Sequence, residues 1–286
     1  MSTKVEVLTP DGIRLAAHCD GAGEPVLLLH GLGFTQSLWE TARATLEEAN
    51  FRVVTYDLRG FGKSEHPKQP YTMNTLVADL ESVADHFRLD RFHLVGHSLG
   101  GMCAQLFALE HPTRVRSLTL VSATSHSGQR GSAYGAALSY LARHGFDKAM
   151  ENESFRQKIE TAIVFLSDPT VRSQLDGTLS HELPTGEELL ALIKRMTPEA
   201  NPARSYAWSC TVGFTTRDRL NEIQCPSFVL HGTKDMIIPY VAGQLLGKGL
   251  QGSRWMSFQG AGHSLPRERQ DEFTGALVDF LGSLAA

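Results

Sequence analysis

Four short runs rich in Val, Leu and Ile, at residues 26–30, 52–56, 92–96 and 115–121, lack the polar alternation of a half-exposed strand and read as buried parallel strands. Helical spacing fills the gaps between them. Residues 36–50 and 73–87 carry apolar positions at three- and four-residue intervals, and residues 99–111 follow a strand through glycines and stop before Pro112. Strand and helix in alternation predict βαβ units and a parallel sheet. Two earlier runs, 4–8 and 13–18, flank Pro10, Asp11 and Gly12 and predict an antiparallel hairpin at the sheet edge. The alternation stops near Thr124. It resumes with strands at 227–231 and 254–258, a helix at 240–250 and a last helix at 267–284. Between them the texture changes to helical patches at 134–144, 153–165 and 186–196, joined by polar or Pro-containing loops. A stretch of that length is too long for one structureless loop. The expected organisation is therefore a core of residues 1–123 and 222–286 with residues 124–221 inserted as a helical cap.

Composition narrows the class. With 286 residues, 42% hydrophobic and 20% charged, the chain has the balance of a globular enzyme. A formal net charge of -4 with scattered Lys and Arg argues against nucleic-acid binding. The four cysteines, Cys19, Cys103, Cys210 and Cys225, form no C-x-x-C pair, so free thiols are expected and neither a zinc site nor a redox motif. The first residues lack the apolar centre of a signal peptide, and no run approaches the roughly 20 apolar residues of a membrane span, which predicts a cytoplasmic chain that does not enter membranes.

The chemistry concentrates in three places. Gly96-His97-Ser98-Leu99-Gly100 is a G-x-S-x-G between a predicted strand and a predicted helix, the context of a nucleophile elbow. Ser98 is the candidate nucleophile, presented above the sheet edge with the helix N-terminus directed at the same spot. A serine hydroxyl needs a base, and the base needs a partner that fixes its tautomer. His263, after the strand at 254–258, is the candidate base, and Asp235, after the strand at 227–231, is the candidate acid. The glycines around His263 are expected to form a mobile turn that lets the imidazole swing over the serine. Asp57 competes for the acid role but lies before the nucleophile, and is expected to brace Arg59 or a turn. His97 is expected to point away from Ser98, His231 to support its strand end, and His126 is a secondary pocket candidate. The third place is His30-Gly31-Leu32-Gly33-Phe34, a turn whose free N–H at Leu32 would pair with that of Leu99 as an oxyanion hole, with His30 holding the loop. Phe34 and Trp208 are candidate substrate contacts, and aromatic residues of the inserted segment, among them Tyr134 and Phe165, are expected to be divided between its own core and an apolar pocket over Ser98.

These motifs, with Asp57 to Ser64, Gly232 to Asp235 and Gly262-His263, resemble the α/β-hydrolase superfamily over nearly the whole core. The resemblance implies a mostly parallel eight-stranded sheet flanked by helices, and acyl transfer to water through a serine ester without metal or organic cofactor. Within the superfamily the chain is similar to small esterases, enol-lactonases and carbon–carbon bond hydrolases. Ser98 departs from the Asp nucleophile of haloalkane dehalogenases and epoxide hydrolases. The 30–34 turn lacks the proline of proline iminopeptidases and carbon–carbon hydrolases. The expectation is a carboxylesterase or lactonase acting on a small-molecule ester or lactone and water, as monomer or dimer. The alternatives are cleavage of vinylogous diketones and a non-catalytic ligand receptor on the same fold.

Overall fold

The computed structural model describes residues 3–127, 140–141, 143–157, 159–160, 187–188, 191, 194 and 202–284. Eight strands form one sheet: β1 (Thr3–Leu8), β2 (Arg14–Asp20), β3 (Glu24–Leu29), β4 (Phe51–Tyr56), β5 (Phe92–His97), β6 (Val115–Val121), β7 (Ser227–Gly232) and β8 (Arg254–Phe258). Their spatial order is β1-β2-β4-β3-β5-β6-β7-β8. The expected hairpin is present, since β1 pairs antiparallel with β2, which in turn pairs antiparallel with β4. From β4 to β8 every pairing is parallel.

The unbroken apolar runs are explained by burial on both faces. Side chains alternate across a pleated strand. Leu27, Leu29, Val54 and Leu94 join one cluster, with α2 (Met73–His86) and α3 (Leu99–Glu110); Val26, Leu28, Val53 and Val95 join the other, with α1 (Glu40–Glu48) and residues of the C-terminal helix. Two predicted helices are broken. The first opens with a 3-10 turn over Gln36–Trp39, because Gln36 is held by its N–H to Asp57 and its side chain to Thr55. The last divides at Arg269, whose φ is −136°, although the sequence from 267 predicts one continuous helix.

At the end of β6 the chain enters the inserted segment, and it comes back alongside its own exit. Thr216 N–H donates to Ser125 O at 2.8 Å, Ser127 N–H to Phe214 O at 2.9 Å, and His126 bridges Thr215. Gln105 of α3 ties both ends, donating to Thr124 O at 3.0 Å and accepting from Thr216 Oγ1 at 2.6 Å. Within the segment, α4 (Phe146–Met150) supports a small cluster of Leu141, Phe146 and Ala149, on which Tyr140, Phe155 and Trp208 pack. Helix α5 (Pro202–Thr211) also sends Ala207 and Cys210 into the main core. Of the predicted patches, much of 134–144 and 186–196 and the end of 153–165, with Tyr134 and Phe165, lie outside the described residues. Among the described residues, a 3-10 turn follows at Arg217–Glu222, and then the α-helices α6 (Tyr240–Gly249), α7 (Leu265–Glu268) and α8 (Gln270–Gly282). Among the described residues, no helix is long and apolar enough to cross a membrane.

Candidate active site

Ser98 sits between β5 and α3 with φ 53° and ψ −116°, a left-handed backbone that a non-glycine residue adopts at a cost of roughly 1–3 kcal/mol. Close packing enforces it. A Cβ on Gly96 would lie 2.5 Å from Gly100 O, and one on Gly100 would lie 2.6 Å from Leu29 O, so the helix can start this near the sheet only because both positions lack side chains. The elbow is pinned by Ser98 N–H to Val121 O at 2.9 Å. Ser98 is buried, with 8% of its surface exposed.

His263 Nε2 lies 3.0 Å from Ser98 Oγ, and His263 Nδ1 lies 2.8 Å from Asp235 Oδ2. The three side chains proposed from sequence are thus contiguous, although Ser98 and His263 are 165 positions apart. With Nδ1–H donating to the carboxylate, Nε2 is left unprotonated toward the hydroxyl. Asp235 is buried, and burial alone would raise its pKa. Coulombic attraction to His263 whenever that ring is protonated, with hydrogen bonds from His231 and His263, outweighs burial and holds it well below the usual carboxylate range. The donor set is full: Oδ1 accepts from Ile237 N–H and Ile238 N–H, both at 2.9 Å, and Oδ2 lies 3.2 Å from His231 Nε2. His231 is therefore more than a strand-end support, since the same Nε2 also lies 2.9 Å from Ile238 O.

The 30–34 turn lies directly against the elbow. A Cβ on Gly31 would be 2.8 Å from Ser98 Cβ and 2.7 Å from His97 Nδ1. Phe34 N–H closes the turn onto Gly31 O at 3.2 Å, and Gly33 takes the φ of +81° that this turn requires. His30 holds the loop as expected: Nδ1 meets Gly31 O at 2.8 Å and Nε2 accepts from Leu58 N–H at 2.9 Å. Burial depresses its pKa to about 4, so it works as a neutral imidazole. Leu32 is half-buried on this turn, and Leu99 is the first residue of α3, ahead of its hydrogen-bond ladder.

Of the other expectations, some are met and some change. The turn before His263 is stitched down: Lys234 N–H donates to Ala261 O at 2.9 Å, and Gly260 N–H to Thr233 Oγ1 at 2.9 Å. It is not the free swinging turn read from its glycines. Asp57 braces a turn, accepting from Gln36 N–H at 2.7 Å and Lys63 N–H at 2.9 Å, whereas Arg59 pairs with Asp79 and Asp11. His97 turns to the loop of His263, with Nε2 2.8 Å from His263 O and its ring 4.9 Å from that imidazole. Phe34 packs edge-on against His97 at 5.2 Å, with the Arg267 guanidinium over its ring at 5.5 Å. Trp208 packs on the small Leu141 cluster, and His126 lies at the segment boundary near Arg217. Sequence reasoning missed Glu268, whose only sequence signal is its place five residues beyond His263.

The family described as alpha/beta hydrolase fold matches residues 24–269. The proline iminopeptidase of Lactobacillus helveticus (strain DPC 4571) is 28% identical over 280 residues, covering 90% of this chain and 89% of that protein. The 2-hydroxy-6-oxononadienedioate/2-hydroxy-6-oxononatrienedioate hydrolase of Paraburkholderia phymatum is 30% identical over 279 residues, covering 95% of this chain and 92% of that protein. Among solved structures, a thermophilic esterase from Thermogutta terrifontis superposes with a TM-score of 0.74 at 26% identity, covering 99% of this chain and all of that one (100%).

Proposed function

Because this chain belongs to the alpha/beta hydrolase fold family and is a hydrolase by that membership, we propose that it cleaves a carboxylic ester or lactone through an acyl-serine intermediate. The observation that carries the reading is the unbroken hydrogen-bonded line from Ser98 Oγ through His263 to Asp235, at 3.0 and 2.8 Å. In the first half-reaction Ser98 Oγ attacks the carbonyl carbon while His263 Nε2 takes the hydroxyl proton. Asp235 stays ionised and stabilises the imidazolium. The backbone N–H groups of Leu32 and Leu99 receive the negative charge that develops on the carbonyl oxygen. The tetrahedral species collapses as His263 returns the proton to the leaving alkoxide. In the second half, water attacks the acyl-serine as His263 takes its proton, and the second tetrahedral species collapses as His263 returns that proton to Ser98 Oγ, releasing the acid and restoring the hydroxyl.

Residues 124–221 are assigned to a cap over the core of 1–123 and 222–286, with Phe34 and Trp208 as apolar contacts of a small-molecule substrate. The paired ends of the segment at Ser125 and Thr216 support its treatment as one insertion. A second reading is favoured by the 30% identity to the Paraburkholderia relative: carbon–carbon cleavage by the same serine and histidine. A fluorophosphonate probe and a substrate panel test both. Rapid labelling of the wild type that disappears in Ser98→Ala, with turnover of acyl esters or lactones, is the expected result. Turnover confined to a 2-hydroxy-6-oxo dienoate selects the second reading. Absence of labelling, together with ligand binding indifferent to Ser98→Ala, refutes catalysis and leaves a receptor.

A further inference from the structure

We propose that Glu268 and His97 are positioning residues that clamp the main chain of His263 from both sides, and so aim its imidazole at Ser98. The inference rests on the triad reading above. Two peptide groups are held, 261–262 at its N–H and 263–264 at both its carbonyl and its N–H. Gly262 N–H donates to Glu268 Oε2 at 2.6 Å, Ser264 N–H donates to Glu268 Oε1 at 2.9 Å, and His97 Nε2 donates to His263 O at 2.8 Å. One carboxylate therefore satisfies the N–H groups on either side of His263, and an imidazole satisfies the carbonyl of His263 itself.

The local chain is shaped for this contact. Helix α7 is a single turn, Leu265–Glu268, with Glu268 N–H on Ser264 O at 3.0 Å, which brings the carboxylate back over the residues just before the helix. The break at Arg269 ends α7 there, and the Arg269 side chain ties down Gln259 O at 2.9 Å on the far side of the loop. Gly262 accepts the close approach: a Cβ there would stand 3.1 and 3.2 Å from the two carboxylate oxygens, tighter than an ordinary contact. On the opposite side His97 is fully buried, packed between Phe34 and His263. Its Nε2 must carry the hydrogen, because a carbonyl can only accept. Fixing the peptide groups 261–262 and 263–264 restricts the dihedrals of Gly262 and His263 between them and hence the direction of the His263 Cα–Cβ bond. The imidazole then meets Ser98 and Asp235 without ordering the loop during each turnover. Neither Glu268 nor His97 bonds to the Ser98 or Asp235 side chain in the described contacts, so their effect reaches the reaction through His263.

A clamp on the base acts on the chemical step, so the test separates kcat from KM. Glu268 is exposed, which makes it the cleaner site to alter. Glu268→Ala is expected to lower kcat about 10- to 100-fold with KM within about twofold. Glu268→Gln, which keeps one acceptor, is expected to lie between it and the wild type. His97→Phe removes the donor, and His97→Gln restores part of the loss by returning an N–H at similar reach. If the His97 variants do not fold, the two Glu268 variants decide. Equal kcat in Glu268→Ala and wild type overturns the clamp, as does a loss appearing only as raised KM. Fluorophosphonate labelling of the same samples keeps the two claims apart. An unlabelled wild type removes the triad reading and the clamp with it, whereas a labelled wild type with an equally fast Glu268→Ala removes the clamp alone.

Discussion

Replacing Gly31 with alanine tests whether the 30–34 turn is part of the reaction site. A Cβ at Gly31 would stand 2.7 Å from His97 Nδ1, 2.8 Å from Ser98 Cβ and 3.1 Å from His97 O, where ordinary contacts begin at 3.4 Å. Relief therefore needs a separation of about 0.6–0.7 Å between turn and elbow. The neighbours cannot supply it. His97 is buried and tied to His263 O, and Ser98 is held at its N–H by Val121. The turn itself must retreat, carrying the Leu32 N–H with it. Misplacement on the order of 1 Å costs about 10²-fold, and loss of one oxyanion donor costs about 10²–10³-fold. Gly31→Ala is accordingly expected to lower kcat about 10²-fold, which is about 2.7 kcal/mol at the transition state, and to destabilise the fold by about 1–3 kcal/mol through overpacking. Steady-state hydrolysis of a p-nitrophenyl ester, with urea unfolding in parallel, gives both quantities. Gly275→Ala is the control, because nothing lies within 4 Å of a Cβ there on α8. Activity in Gly31→Ala within about twofold of wild type, with a normal unfolding midpoint, refutes the placement of an oxyanion donor on this turn.

Asp235→Asn would put an amide N–H₂ where four donors already converge. It should lower kcat by about 10³–10⁴-fold, since His263 loses the acceptor that sets its tautomer; retention of a tenth of the activity would contradict the assignment. The pH dependence of stability has a definite sign. Burial lowers His30 from 6.5 to about 4, and burial followed by the neighbouring charge of His263 lowers His97 from 6.5 to about 3. The folded state keeps both neutral where the unfolded chain has protonated them. Their full contribution is thus present above about pH 6.5 and declines on acidification toward 4, by up to about 1.4 kcal/mol per pH unit for each ring. Asp235, with its depressed pKa, adds a further loss only below its ordinary value of 3.8. Urea midpoints at pH 7.5 and 5.0 should fall in that order, and a flat or rising profile would contradict the prediction that the two buried rings dominate the pH dependence in this range.

Much of the architecture was legible because burial on two faces writes itself into composition. The runs at 26–30 and 92–96 could be read as central strands since both faces of β3 and β5 are covered. Helix endings were legible where chain chemistry is local, as at Pro112 after α3. The division of the last helix was not, because its cause is the engagement of Glu268 and Arg269 with a loop that no periodicity reveals. Asp57 and Arg59 show the same limit. Two charged residues of opposite sign only two positions apart invite pairing, yet Arg59 finds Asp79 and Asp11 while Asp57 is occupied by the N–H groups of Gln36 and Lys63.

The sequence by itself determined the strand and helix periods, the elbow motif around Ser98, and the nomination of Asp235 and His263 from their places after two strands. Only the tertiary structure decided that these side chains meet at 3.0 and 2.8 Å, that β4 lies between β2 and β3, and that His97 faces the loop of His263 rather than solvent. The physical reason is range. Backbone conformation and apolar spacing act over a few residues, whereas a hydrogen bond spanning 166 positions exists only once the sheet has brought the ends of β5 and β8 together.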